Sequence, residues 1–272
     1  MNRAPAPAKV NLALVVGPPR DDGKHEVLTV LQRIDLVDRI ELRKAPDLQV
    51  EGFAGDTLVR DALTELAGDA GVEPGWRIKI EKRIPIAAGL GGGSSDAATA
   101  LRLANATLSE PLADEELLRI ASRIGADVPF FLVDGPQLGS GDGSELEPLE
   151  VPQDFWVLVL LPHNARKGST RDVYAAFDAR RGAAGWAERR QALLDGLARV
   201  ERPRDLADLP PNDLVTSPYV DVLHAAGAFR ADVSGAGPAL YGLFHQRRDA
   251  DVARRSLRRV GRTWLAAPAW YG

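Results

Sequence analysis

The sequence predicts an α+β protein built from two domains. Its 272 residues exceed the usual size of one hydrophobic core. Hydrophobic residues make up 45% and charged residues 26% of the chain, an ordinary globular composition that excludes global disorder. Segments with a period of two and segments with a helical period follow one another along the chain. We place the domain boundary near residue 150, which gives domains at 1–150 and 151–272.

The first half of the chain mixes strand patterns with helix patterns. Trp76, Ile78 and Ile80 alternate with charged residues, which is typical of a half-buried strand. Apolar residues three or four positions apart predict helices instead, and we expect Asp114 to act as an N-cap. The predicted strands are 10–16, 27–36, 39–43 and 76–81, and the predicted helices are 57–67, 95–108 and 114–124.

The segment 135–152 is rich in glycine, proline and acidic residues, and we interpret it as the connection between the domains. Elements of both types follow it. The predicted strands are 156–161, 228–234, 239–244 and 263–267, and the predicted helices are 171–178, 186–199 and 250–260.

Composition and charge exclude several functional classes. Cysteine is absent, which excludes disulfides, thiolate metal sites and a cysteine nucleophile, and is compatible with a cytoplasmic location. A net charge of −4 provides no basic field for nucleic acid. The longest apolar run, 156–162, is far shorter than the roughly 20 residues of a membrane-spanning helix, and the N-terminus lacks a signal-peptide pattern. We therefore expect a cytoplasmic protein with no nucleic-acid or membrane partner.

The strongest chemical signal is the glycine-rich segment between Pro85 and Asp96, with glycines at 89, 91, 92 and 93. These glycines let successive backbone amides converge on an anion, and the helix that follows directs its positive dipole end to the same place. Ser94 and Ser95 add hydroxyl groups for phosphate oxygens or a magnesium ion. The spacing fits neither a Walker loop nor a dinucleotide fingerprint. The alternative is a flexible connector between a strand and a helix.

Two charged residues stand in apolar surroundings. Asp127 separates an amphipathic helix from an apolar run, so it is either a turn residue or a carboxylate that accepts a hydroxyl proton in phosphoryl transfer. Lys9 enters an apolar strand, where an inward ammonium would need Asp127 or a phosphate as its partner. The alternative for Lys9 is an exposed position at a sheet edge.

A second glycine-rich segment, Ser234–Pro238, lies between two predicted strands. It is either a simple tight turn or a second set of backbone donors that closes the phosphate site. His163, His224 and His245 show no metal-ligand spacing, so we predict no protein-bound metal.

Four segments together closely resemble the GHMP small-molecule kinase superfamily: PAKVNLAL from residue 7, GLGGGSSDAA from 89, GADVPFF from 125 and SGAGPALYGLF from 234. The likeness covers nearly the whole chain, and it is greatest to the members that phosphorylate a cytidine diphosphate-linked methylerythritol in the non-mevalonate route to isoprenoids. It implies an N-terminal domain like ribosomal protein S5 domain 2, a ferredoxin-like C-terminal domain and an active site in the cleft between them. It also implies ATP as co-substrate, with Mg²⁺ held chiefly by ATP.

The resemblance assigns a role to each matching residue. Asp127 would deprotonate the 2-hydroxyl of the methylerythritol moiety, and Lys9 would hold Asp127 and the transferring phosphoryl group in register. The residues that would hold the ATP phosphates are Lys82, Gly89, Leu90, Gly91, Gly92, Gly93, Ser94 and Ser95. The residues that would bind the acceptor substrate are Asn11 at the erythritol end, Lys24, His25, Thr170 and Tyr174 around the cytidine, Asp127 at the hydroxyl, and Ser234, Gly235 and Gly237 at the closing turn.

Two positions depart from the family pattern. Lys24 stands where members usually have a tyrosine that stacks on cytosine, which leaves Tyr174 as the remaining aromatic face, a weaker cytidine site or a different substrate. Thr57 stands where members commonly have an adenine-pocket asparagine. Two alternatives therefore stay open: another kinase of the superfamily with a non-cytidylated alcohol substrate, and a catalytically silent ATP-binding relative. We expect a monomer or a weak homodimer.

Overall fold

The computed structural model describes residues 2–53, 57–165 and 169–269. Asp56, the residue before Thr57, at which the sequence departs from the family pattern, lies outside the described residues. The chain forms two compact units whose segments interleave along the sequence. The first unit comprises Met1–Ala8, Leu36–Ile86 and Gly91–Asp134, and the second comprises Lys9–Asp35, Ala87–Leu90 and Gly135–Gly272. Because the units are not contiguous, they do not test a single boundary near residue 150, which stays a prediction.

Runs of strands and runs of helices follow one another along the chain, which is typical of an α+β fold. The strands are β1 Asn2–Pro19, β2 His25–Lys44, β3 Gln49–Glu51, β4 Trp76–Glu81, β5 Gln137–Ser140, β6 Glu145–Pro148, β7 Trp156–Pro162, β8 Arg230–Val233, β9 Leu240–Phe244 and β10 Gly261–Ala266. The helices are α1 Thr57–Asp69, α2 Gly92–Asn105, α3 Asp114–Ile124, α4 Thr170–Ala179, α5 Trp186–Leu197, α6 Tyr219–Ala225 and α7 Arg247–Ser256. Short 3₁₀ turns occur at Pro129–Leu132, Pro203–Asp208 and Leu257–Arg259.

In the first unit, the second half of β2 pairs antiparallel with β4, and β3 pairs parallel with β4. The predicted alternation in β4 is confirmed, because Trp76, Ile78 and Ile80 are buried and the charged residues between them are not. Helices α1 and α2 pack together, and Leu63 and Leu66 of α1 are fully buried because their spacing places them on one helix face.

In the second unit, the first half of β2 pairs antiparallel with β5, which forms a hairpin with β6. A separate four-stranded antiparallel sheet has the order β10-β7-β9-β8. Its core includes Leu158, Leu160, Leu240 and Phe244, all buried, with residues of α6 and α7 packed against them. Among the described residues, no helix is both long and apolar enough to cross a membrane.

Several predicted boundaries were wrong. The strands expected at 27–36 and 39–43 form one continuous strand, β2, and α2 begins at Gly92 rather than at Ser95. Asp114 is the first helical residue of α3 and not its cap; the cap position is Ala113, whose amide donates to the Glu116 carboxylate over 3.0 Å. The segment 135–152 was expected to be a connection, but it contains the β5–β6 hairpin, and β3 and α6 were not predicted.

Candidate active site

The start of α2 lies in the first unit and has the geometry of an anion site. Gly91 is the N-cap residue and adopts a φ of 68°, in the left-handed region that favours glycine. The Ser95 amide donates to the Gly91 carbonyl over 2.9 Å, which closes the first turn. The preceding amides, of Gly92, Gly93 and Ser94, find no acceptor within the described part of the chain. A helix of 14 residues therefore presents unpaired donors and its positive dipole end at this loop.

Ser95 provides an independent indication that a polar ligand binds here. The residue is fully buried, yet its Oγ has no hydrogen-bond partner among residues 2–53, 57–165 and 169–269. A Cβ added to Gly93 would lie 3.3 Å from a methyl group of Leu58, so the backbone at this loop is closely packed and lacks room for larger residues. An orphan hydroxyl beside free amides fits a phosphate oxygen or a magnesium ion held by phosphates.

Lys82 lies beside this loop in a buried ion-pair cluster. Its Nζ is 2.5 Å from Asp38 Oδ2 and 2.7 Å from Asp96 Oδ2, and a Cβ added to Gly92 would be 3.3 Å from the same Nζ. Burial acts to lower the pKa of Lys82, but the charges and hydrogen bonds of Asp96 and Asp38 outweigh it and raise that pKa above the usual value. The second Asp38 oxygen accepts from the amides of Arg83 and Ile84. The cluster thus anchors the chain that enters the glycine loop, while phosphate binding by Lys82 stays a prediction.

Asp127 also belongs to the first unit. It is half-buried in the turn between α3 and the 3₁₀ turn Pro129–Leu132, where the Val128 amide donates to the Gly125 carbonyl over 3.0 Å. Val128 and Phe130 on its C-terminal side are fully buried. The interpretation as a turn residue therefore describes its position, and its role as a base stays a prediction.

Lys9 in the second unit is buried, which excludes the alternative of an exposed edge lysine. Its Nζ donates to Asn11 Oδ1 over 2.6 Å, and Asn11 Nδ2 donates to Thr29 Oγ1 over 2.8 Å. The Lys9 amide also donates to the Leu90 carbonyl over 2.9 Å, which ties the strand to the start of the glycine loop. The side chains of two predicted site residues, Lys9 and Asn11, are thus hydrogen bonded to each other.

The two glycine-rich segments meet within the second unit. Ser234 Oγ donates to the Gly89 carbonyl over 2.9 Å, and the Ala239 amide donates to the Ala88 carbonyl over 2.9 Å. Gly89 has a φ of 83°, and a Cβ there would lie only 2.2 Å from the Ser234 carbonyl oxygen. A Cβ at Gly235 would lie 3.4 Å from Asn11 Oδ1. The Ser234–Gly237 turn therefore packs directly on the first glycine segment and beside the Lys9–Asn11 pair.

Asn212 holds this turn in place and was not recognised as a site residue from the sequence. Its Nδ2 donates to the carbonyls of Val233 and Gly235 over 2.9 and 2.7 Å, and its Oδ1 accepts from the Leu214 amide over 2.8 Å. The one available signal was a polar Asn-Asp pair at 212–213 beside apolar Leu214.

His25 lies in an aromatic and acidic pocket formed with α4. Its ring is buried, with centroids 4.9 Å from Tyr174 and 5.9 Å from Phe177. Its Nε2 lies 2.8 Å from Asp178 Oδ1. The structure thus brings His25 and Tyr174 together as predicted site residues, and it adds Asp178, which sequence reasoning missed because the contact joins positions 153 residues apart.

Lys24 and Thr170 are more exposed than these residues. The Lys24 Nζ is hydrogen bonded to the Asp142 carboxylate in the turn between β5 and β6. Burial acts to raise the pKa of Asp142, but bonds from Lys24 and Ser144 outweigh it and hold that pKa below its ordinary value. Thr170 is the first residue of α4, whose N-terminus is capped by Ser169.

The other histidines are bound to the fold. His163 and His224 contact the backbone carbonyls of Arg258 and Ala228, and His245 stacks on Phe229 at a centroid distance of 4.3 Å. Among the described residues, no three His, Asp or Glu side chains are grouped to hold a metal ion.

Comparison with known proteins places these features in a family. Residues 57–135 match the model of the GHMP kinases N-terminal domain, and residues 215–263 match that of the GHMP kinases C-terminal domain. The chain is 40% identical to a protein of Anaeromyxobacter sp. (strain Fw109-5) over 93% of its own length and 85% of that relative's, and 38% identical to one of Geobacter sulfurreducens over 96% of each. Both relatives are named 4-diphosphocytidyl-2-C-methyl-D-erythritol kinase.

A solved structure gives the same result for the fold. The crystal structure of 4-(cytidine 5'-diphospho)-2C-methyl-D-erythritol kinase is 33% identical, covers all of both chains and superposes with a TM-score of 0.80. The predicted two-domain GHMP kinase fold is therefore confirmed. The chain belongs to the GHMP kinases, in the family of the 4-diphosphocytidyl-2-C-methyl-D-erythritol kinases.

Proposed function

We propose that the protein transfers the terminal phosphoryl group of ATP to the 2-hydroxyl of 4-diphosphocytidyl-2-C-methyl-D-erythritol, a step in the non-mevalonate synthesis of isoprenoids. The observation that carries the proposal is family membership at 40% identity over most of the chain, with the names that these relatives bear. The unpaired amides at the start of α2 and the orphan hydroxyl of Ser95 support a phosphate ligand independently. The cytoplasm as the location, and a monomer or weak homodimer, stay predictions.

The phosphate side of the reaction is assigned to the glycine loop. ATP would supply the phosphoryl group, and Mg²⁺, which the nucleotide would chiefly hold, would neutralise the charge of the phosphates. The amides of Gly92, Gly93 and Ser94 would bind phosphate oxygens, and Ser95 Oγ would bind either an oxygen or the metal. Lys82 would contribute positive charge beside the loop, attenuated by its two carboxylate partners.

The acceptor side is assigned to Asp127 and Lys9. Asp127 would accept the proton of the attacking hydroxyl, and the buried ammonium of Lys9 would stabilise negative charge on the transferring group. Asn11 orients that ammonium through their 2.6 Å hydrogen bond and would bind the erythritol end. His25 and Tyr174 would bind the cytosine, with Lys24 and Thr170 at its margin, and Ser234, Gly235 and Gly237 would close the site.

An activity screen tests the function. Purified protein with ATP and Mg²⁺ is given the cytidylated methylerythritol, the same alcohol without the cytidine diphosphate, and other small alcohols. We expect substrate-dependent ADP release with the cytidylated compound alone, and competitive inhibition by CMP. Turnover of a non-cytidylated alcohol that CMP leaves unaffected would identify a different kinase of the superfamily. No ADP release with any alcohol would identify a silent ATP-binding relative.

A further inference from the structure

We infer that Asp178 determines the base specificity of the acceptor site by fixing the tautomer of His25, an inference that rests on the proposed function because it takes the cytidine to lie at His25. The residues that carry it belong to one unit. His25 begins β2, and Tyr174 and Asp178 are four residues apart on α4, so the helix presents both on the same face toward the imidazole.

The hydrogen bond decides which ring nitrogen carries the proton. An ionised carboxylate only accepts hydrogen bonds, so the 2.8 Å contact with Asp178 Oδ1 requires a proton on Nε2. In the neutral ring, Nδ1 then carries a lone pair and can only accept. Within the described residues, no hydrogen bond engages Nδ1, while Tyr174 and Phe177 hold the plane of the ring by aromatic contact.

An acceptor at Nδ1 distinguishes the two pyrimidines. Cytosine carries an amino group, a donor, at the position where uracil carries a carbonyl oxygen, an acceptor. Nδ1 would accept a hydrogen bond from the cytosine amino group, and it would face the uracil oxygen with two lone pairs opposed and no proton between them. A site built on a defined donor and acceptor rejects the analogue that leaves its polar groups unpaired. We expect the wild-type protein to prefer the cytidine ligand by roughly 10- to 100-fold.

The test replaces Asp178 with asparagine, a residue that no longer restricts His25 to one tautomer. In Asp178→Asn the amide can either accept from Nε2–H or donate to an unprotonated Nε2, so both ring tautomers become available. Dissociation constants for CMP and UMP, and KM for the cytidine- and uridine-diphosphate-linked methylerythritols at saturating ATP, are measured for both proteins. We expect the cytidine preference to fall to within roughly 3-fold of unity in the variant. Asp172→Asn is the matched control, because Asp172 caps the same helix without touching His25, and it should keep the wild-type preference.

A spectroscopic measurement reads the tautomer directly. Nitrogen-15 NMR of the His25 ring should show the proton on Nε2 in the wild-type protein and a mixture of tautomers in Asp178→Asn. A proton on Nδ1 in the wild type, or a variant that keeps the full cytidine preference, would overturn the role of Asp178 and leave the proposed function standing. If the wild type binds neither CMP nor UMP and does not turn over the cytidylated alcohol, the proposed function itself fails, and the inference with it.

Discussion

Asp127 is the residue on which the chemistry of the proposed reaction depends most. We expect Asp127→Asn to lower kcat by about 10²–10⁴-fold, because the amide keeps the shape of the side chain but cannot take the hydroxyl proton. The dissociation constant of ATP should stay near the wild-type value, and steady-state kinetics with equilibrium nucleotide binding measure both quantities. Asp114→Asn, an equal charge change on the exposed first turn of α3, is the control and should remain fully active. Wild-type turnover in Asp127→Asn would remove Asp127 from the mechanism.

Lys24 is the residue at which the sequence departs from the family pattern at the proposed base site. Its ammonium bonds to Asp142, so its side chain is already held and offers no flat face to a pyrimidine. We expect Lys24→Tyr to tighten CMP binding by roughly 5-fold or more, since stacking of a base on an aromatic ring contributes about 1–3 kcal/mol. Isothermal titration measures the change. Lys24→Met removes the same charge without adding a ring, and equal tightening in that variant would assign the effect to the lost charge.

At this scale the sequence predicted residue types well and partners poorly. The apolar strand around Lys9 left both an inward ammonium and an exposed edge position open, and the structure shows that the side chain is buried. Its hydrogen bond to Asn11, by contrast, also involves Thr29 of the neighbouring strand, whose hydroxyl accepts from the Asn11 amide and holds that amide in place. Asp178 had no local signal at all, because an acidic residue on a helix is usually solvated, and only the position of β2 gives it a histidine partner.

At the scale of elements, the candidate site is built on the contact between the two glycine-rich segments, at Gly89 and at Ser234–Gly237. Gly89 adopts a positive φ and lies against the Ser234 carbonyl, so two separate requirements exclude a side chain there. Gly23 adopts nearly the same φ, 79°, but has open space where its Cβ would stand. Alanine substitutions at Gly23 and Gly89 therefore separate the cost of the left-handed backbone from the cost of displacing the Ser234–Gly237 turn.

We expect Gly23→Ala to lower the free energy of unfolding by about 1 kcal/mol, the cost of a left-handed alanine. Gly89→Ala should lower it by about 2–4 kcal/mol, because displacing the Ser234–Gly237 turn adds an overpacking cost. Loss of register between the glycine segments should also reduce kcat/KM for ATP on the order of 10- to 100-fold in Gly89→Ala alone. Urea unfolding and ATP kinetics measure the two effects. Equal stability and equal kinetics in the two variants would mean that the contact does not shape the site.

Element types were predictable wherever a periodic pattern was long. The alternation in β4 and the helical spacing in α1 and α3 gave the correct elements, since burial on one face selects those patterns. Short elements were missed: β3 has three residues, and the β5–β6 hairpin lies in a segment whose glycines and acidic residues look like a connection. The turn in that hairpin uses Gly141 and Gly143 at positive φ, so the composition that suggested a linker in fact serves a tight turn.

At the scale of the whole molecule, the interleaving of the two units is what a linear pattern could not predict. Strands β1 and β2 each contribute residues to both units, so no single point in the sequence divides them.

Within the second unit, distant segments are joined by buried polar contacts: the Tyr241 hydroxyl donates to the Leu12 carbonyl over 3.2 Å and accepts from Arg230 Nε over 3.3 Å. Arg230 also donates to the carbonyls of Leu206, Leu209 and Pro210, which fixes the chain that leads to Asn212.

Tyr241 is expected to make the protein less stable at alkaline pH. Burial raises the pKa of Tyr241 to about 12, from an ordinary value of 10.0. The unfolded chain therefore loses this proton at lower pH than the folded chain does. The stabilisation is fully present below pH 10 and is lost as the pH rises toward 12, a total of about 2–3 kcal/mol, of which about 1 kcal/mol is lost by pH 11.

Tyr241→Phe removes the titrating hydroxyl, so the variant is the reference against which the pH dependence of the wild type is measured. At pH 8 we expect the variant to be less stable than the wild type by about 1–3 kcal/mol, because the Leu12 carbonyl loses its buried donor. That difference should shrink by about 1 kcal/mol between pH 8 and pH 11, since only the wild type loses the tyrosine contribution. Urea unfolding of both proteins across this range measures it, and other groups that titrate there cancel in the subtraction. A difference that stays constant to pH 11 would mean that the hydroxyl is no harder to ionise in the folded protein than in the unfolded chain, and the buried contact with Leu12 would then not be a fixed part of the fold.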